Sequence, residues 1–156
     1  MYSNRVKKKQ SSKTITNKKA RFDYEIGDTI VAGIVLTGAE TKSLRMGQAI
    51  LQGSFVMVKD SELWLNNCQI NPLQTNLNAM PEDSRTRPRK LLVTARQLED
   101  LAGKKRQGLN IIPIKFLSSG RHIKVEIGVG RGKKKYDKRQ VIKKRDQERD
   151  ARKESR

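Results

Sequence analysis

Phe22, Tyr24 and Ile26 alternate with Asp23 and Glu25, and that period of two predicts a half-buried strand beginning near Ala20. Ile26-Gly27-Asp28 offers a bend. Thr29 to Leu36 is a second apolar run, rich in Ile and Val, with Gly33 placed where a strand can kink or bulge. The pattern breaks at Gly38 to Ala49, where Glu40, Lys42 and Arg45 crowd around Leu44, the single clear apolar anchor. One or two helical turns or an ordered loop are expected there, stopped at Gly47. Strand-like runs follow at 49–51, 54–58 and 63–65, and the polar turn Lys59-Asp60-Ser61 joins the last two as a hairpin. From Pro72 to Pro81 periodicity is lost and a loop is expected. Leu91, Leu92, Ala95, Leu98, Leu101 and Ala102 then recur at helical spacing, with Gly103 able to end the helix. Leu109 to Leu117 and His122 to Val129 read as a second hairpin around Ser118-Ser119-Gly120-Arg121.

The fold class this predicts is mainly β with short helices, an α+β chain of about six strands and one to three helices. Strands this short and numerous need closure or cover, and a small antiparallel barrel of the oligonucleotide-binding type supplies it. Three parts are expected: a basic disordered N-terminal arm over 1–19, the barrel domain over 20–129, and a basic C-terminal tail over 130–156.

Charge sharpens that division. Residues 1–21 hold 8 basic and no acidic side chains, residues 22–129 carry a net +3, and residues 130–156 carry 13 basic against 5 acidic, within a total of +19. After Tyr136 only Val141, Ile142 and Ala151 are apolar, too few to pin a helix to a core. The tail is therefore expected to stay largely unstructured until a polyanion neutralises it, and then to become helical. Phosphate backbones are the natural partner, because each cation seated on a phosphate releases a counterion. A membrane-surface binder would place large apolar residues opposite its lysines, and these arms have almost none.

The inventory of reactive groups is short. One cysteine, Cys68, and one histidine, His122, exclude an internal disulfide and any Cys/His metal set. No catalytic residues, metal or cofactor are expected, and the chain reads as a non-enzyme. Lacking a leader-like or membrane-spanning apolar run, it is read as soluble and intracellular. GVGRGKKK, from Gly128, fails the nucleotide-loop spacing because Lys134 stands where a Ser or Thr hydroxyl is required, so it reads as a flexible exit into a lysine run. Trp64 reads as packing at the core or barrel rim in preference to base stacking. The run Arg85-Thr86-Arg87-Pro88-Arg89-Lys90 sits at the expected helix entrance, where exposed N–H groups favour an anion, and reads as RNA contact.

Several stretches, in order over nearly the whole chain, together resemble the bacterial transfer-messenger RNA-binding small protein B family, the SsrA-binding proteins. They are Asn17-Lys18-Lys19-Ala20-Arg21, Gly38-Ala39-Glu40 with Lys42-Ser43-Leu44-Arg45, Arg85-Thr86-Arg87 leading to Lys90-Leu91-Leu92, Lys124-Val125 with Ile127-Gly128, and Gly132-Lys133-Lys134 with Tyr136-Asp137-Lys138-Arg139. The resemblance implies an adaptor of trans-translation in the bacterial cytoplasm. It would bind the tRNA-like domain of transfer-messenger RNA, alongside elongation factor Tu on the same RNA, and bring it to a stalled ribosome. Carried over by position, Lys18, Lys19, Arg21, Glu40, Lys42, Arg45, Arg85, Arg87 and Lys124 would serve the small RNA. Gly132, Lys133, Lys134, Tyr136, Asp137, Lys138 and Arg139 would engage the decoding site of the small subunit and lead into the mRNA channel. Val31 and Phe22 depart from the acid and the histidine that members often carry at these places. The alternative is a structural ribosomal protein held in rRNA by its two arms.

Overall fold

A computed structural model describes residues 14–155. The part of the expected N-terminal arm over 1–13 lies outside the described residues. Ordered structure begins earlier than expected: Ile15–Thr16 is strand β1 and Lys18–Asp23 is helix α1, so Phe22 is helical and not part of a strand. The reason is Asn17. Its side chain accepts from the Ala20 amide and donates to the Pro113 carbonyl at 3.1 Å, capping the helix and fixing it to the body at once.

Tyr24–Ile34 forms one long strand, β2, through both of the apolar runs. The expected bend at Gly27-Asp28 is a register shift against β9 (Lys124–Gly132), between Ile26 and Thr29. Gly33, the other expected kink, stays in register; it sits close to Leu92, whose Cβ lies 3.2 Å from where a Gly33 Cβ would stand. Gly38–Arg45 is helix α2, started by a reciprocal capping box between Thr37 and Glu40 and ended where Gly47 takes a φ of 78°.

Ala49–Ile50 (β3) pairs with Gln69–Ile70 (β6) as a separate small ladder. Phe55–Lys59 (β4) and Glu62–Asn66 (β5) make the expected hairpin, with Asp60 and Ser61 both at positive φ as a two-residue turn demands. Two short 3-10 helices, Gln74–Ala79 and Glu82–Ser84, occupy much of the aperiodic region. Leu91 and Leu92, expected in a helix, belong to strand β7, Arg89–Leu92. Helix α3 starts later, over Ala95–Arg106, because Thr94 and Gln97 form its capping box. Asn110–Leu117 is β8, and Lys135–Glu154 is a 20-residue helix, α4.

The main sheet has seven antiparallel strands in the order β1-β8-β9-β2-β7-β5-β4. It curls so that β4 comes near β8, yet among the described residues no backbone ladder joins them, and β1 and β4 remain its edges. The expected closed barrel is thus corrected to an α+β fold on an open seven-stranded sheet; the described residues hold nine strands in all instead of about six, and four α-helices instead of at most three. Two-residue strands such as β1, β3 and β6 are too short to leave a period in the sequence. Ala32, Leu63, Leu91, Phe116, Val125 and Ile127 fill the concave side, with Leu44 and Leu101 closing it from α2 and α3.

The glycine-rich exit is also corrected. Gly128, Gly130 and Gly132 lie in β9, paired with β2 as far as Gly132 opposite Tyr24. A Cβ on Gly130 would stand 2.3 Å from the Glu25 carbonyl oxygen. Gly130 allows close backbone approach, Gly128 leaves room for the Ile26 and Ile114 side chains, and the last strand runs on to Gly132.

Candidate nucleic-acid interface

The cations named from the sequence fall into three environments. Lys18, Lys19 and Arg21 are exposed on α1, Lys42 is exposed on α2, and Lys124 is exposed at the start of β9. Each is free to meet a phosphate on a backbone fixed by the sheet or by Asn17.

Arg45 is different. Its guanidinium donates to the carbonyls of Ser118, Gly120 and Arg121, at 3.0, 3.1 and 2.8 Å, and so binds the β8–β9 loop to α2. Three of its five N–H donors are committed to protein.

The third environment is a buried charge cluster that sequence spacing could not reveal. Glu40 is buried, and its carboxylate accepts from Arg87 and from Arg89, which is fully buried. Arg89 also donates to the carbonyls of Cys68, Ser84, Arg85 and Arg87, satisfying a charge that would otherwise be prohibitive to bury. Burial by itself would raise the Glu40 carboxyl, but hydrogen bonds from the Thr37 amide, Arg87 and Arg89 outweigh it and hold the group below its usual 4.5. Glu40, expected to touch RNA, is buried and holds the segment 84–89 in place. Arg85 and Arg87 consequently lead into strand β7 and not into a helix start, which removes the expected dipole contribution. Arg85 keeps a buried Nε with no protein partner. Cys68 lies beside the cluster, and burial raises its thiol to about 11.

The tail is a helix over Lys135–Glu154. No Gly or Pro interrupts Tyr136 to Arg156, and its first turns are tied to α1. The Lys133 amide donates to the Asp23 carbonyl at 2.8 Å, Lys138 pairs with the Asp23 carboxylate at 3.2 Å, and Arg145 lies 5.8 Å from the Phe22 ring centroid. Beyond these ties α4 has no buried residue. Tyr136 is 69% exposed, and Lys134, Asp137 and Arg139 face solvent. The α1 cations and the root of the tail, which the resemblance gives to different RNAs, are thus neighbours: the Lys133 ammonium donates to the Arg21 carbonyl at 3.2 Å.

Exposed cations on fixed backbone and a projecting cationic helix are the features of a polyanion-binding surface of the nucleic-acid class. Residues 14–156 match the family described as SmpB protein. An SsrA-binding protein of Roseiflexus sp. (strain RS-1) is 47% identical over 135 residues, covering 86% of this chain and 85% of that one. One from Staphylococcus aureus (strain Newman) is 46% identical over 146 residues, covering 93% and 94%. A solved chain from "tmRNA-SmpB: a journey to the center of the bacterial ribosome" is 38% identical, with a TM-score of 0.64 over 83% of this chain and 94% of that one. The chain belongs to the SmpB family of SsrA-binding proteins, which bind RNA and are not enzymes. No helix among the described residues is long and apolar enough to cross a membrane.

Proposed function

We propose that this protein is an adaptor of trans-translation: its body binds the tRNA-like domain of transfer-messenger RNA, and α4 enters the decoding site and mRNA channel of a stalled ribosome. The observation that carries the reading is the two-residue joint, Lys133-Lys134, between a strand locked into the sheet and an exposed cationic helix. Lys18, Lys19, Arg21, Lys42 and Lys124 serve the small RNA from the body, with Arg85 and Arg87 held toward it by Glu40 and Arg89. Gly132, Lys133 and Lys134 lead to Tyr136, Asp137, Lys138 and Arg139 on the first turns of α4, where an exposed ring can stack on a ribosomal base. Elongation factor Tu rides on the same RNA, in the bacterial cytoplasm. The names of the relatives and of the solved neighbour support the two partners, SsrA RNA and the ribosome.

The test is a chain ended at Gly132, which keeps every β2–β9 pair. It is expected to shift transfer-messenger RNA in a native gel with affinity close to the full chain and to fail to support peptide tagging on stalled ribosomes. Loss of the small RNA together with the tail overturns the reading. A copy on every ribosome, with no bound small RNA, points instead to a structural ribosomal protein.

A further inference from the structure

The convex face of the β4–β5 hairpin carries an apolar patch that the body's core does not use. Val56, Leu63 and Leu65 point inward and are buried, so the alternate residues Phe55, Met57 and Trp64 point outward. Met57 and Trp64 are direct cross-strand partners, and Trp64 faces Lys90 of β7 on its other side. Phe55 is 47% and Met57 40% exposed. The tryptophan expected to pack at the core or rim is therefore on the outside, where it lines an open groove of about 590 Å³ with Phe55, Met57 and Pro88.

We propose that this groove is a stacking platform for one or two unpaired RNA bases. The proposal rests on the reading that the body binds RNA, and adds a place where that RNA is read by its bases. Continuity with the cationic surface favours this occupant. Pro88 follows Arg87 directly, and on the same convex face Leu92 lies opposite Gly33, which lies opposite Lys124. Within the groove charge is balanced: Glu62 holds the Lys90 ammonium at 2.8 Å, and Lys59 adjoins Asp60. Lys59 is the one cation among the lining residues and Lys124 lies exposed farther along the same face, while bases find aromatic and thioether surface with the Asn66 amide and Asp60 carboxylate at its border. That is the distribution a single strand requires, backbone outside and rings within. An apolar protein segment would draw nothing from the flanking cations.

Trp64 is the only tryptophan, so its fluorescence reports the groove directly in the full-length protein. Titration with a transfer-messenger RNA transcript is expected to quench it. The double variant Phe55→Ser/Met57→Ser, altering exposed side chains only, is expected to bind the transcript about tenfold more weakly, the loss of roughly one stacked base. Its melting temperature and its slope of log affinity against log salt should be unchanged, since no phosphate contact is removed. Absence of either the quenching or the affinity loss overturns the platform. So does a photo-crosslinker at position 55 that captures a ribosomal protein and not RNA. Lys124→Ala separates the two levels: if it weakens RNA binding while the groove variant does not, only the platform falls, and if neither variant matters, the RNA-binding role of the body falls with it.

Discussion

Lys138 and Asp23 meet at 3.2 Å, joining the first turns of the tail helix to the end of the helix that carries Lys18, Lys19 and Arg21. Both side chains are partly solvated, so the pair contributes about 0.2–1 kcal/mol. The Arg145–Phe22 contact adds a similar amount, about 0.5–1 kcal/mol. Such ties orient α4 without immobilising it. Asp23→Asn combined with Phe22→Ala is expected to broaden the distribution of distances between spin labels on the body and on α4. Salt near 1 M should broaden it in the unmodified chain too, because screening is then complete within about 3 Å.

Gly130 lies against the Glu25 carbonyl with no room for a methyl group. Gly130→Ala must separate β2 from β9 at the tail's root, at a cost of about 1–3 kcal/mol. Thermal unfolding should show a melting temperature lower by several degrees. Gly38→Ala, at a position with open space around its missing Cβ, should shift it little.

Glu40→Gln leaves Arg89 buried and without its counter-charge, and a loss of about 3–5 kcal/mol at neutral pH is expected from denaturant unfolding. The pH dependence has a definite sign. Because the folded carboxyl lies below its usual 4.5, its contribution is complete above that value and disappears as pH falls through the lowered folded one. The variant should therefore lack part of the acid limb seen in the unmodified protein.

The Cys68 thiol, pushed up to about 11 and buried, is nearly all protonated at pH 8. Iodoacetamide labelling should be slow under native conditions and rapid in denaturant. Fast native labelling would mean that the cluster around Arg89 opens readily.

The hairpins, the α2 turn and the cationic tail were legible from sequence because each rests on local signals: alternation, a glycine stop, a charge run. What was not legible depends on contacts distant in the chain. Nothing near Arg89 distinguishes it from Arg85 or Arg87, yet it is buried on a carboxylate 49 residues earlier. Arg45 spends its donors on a loop more than 70 residues later. Phe22 alternates with Tyr24 and Ile26 as a strand residue would, while the Asn17 cap that makes it helical stands five positions earlier. The glycines of β9 looked like a loop because sequence does not show that a neighbouring backbone passes 2.3 Å from a missing methyl.

The joint at Lys133-Lys134 has a geometric outcome. With α4 about 30 Å long at 1.5 Å per residue, and its pivot fixed to the last strand, the far end can sweep only an arc of set radius. On the function proposed above, the molecule would act as a pair of compasses, touching two polynucleotides at once only when they stand at the separation its own span prescribes.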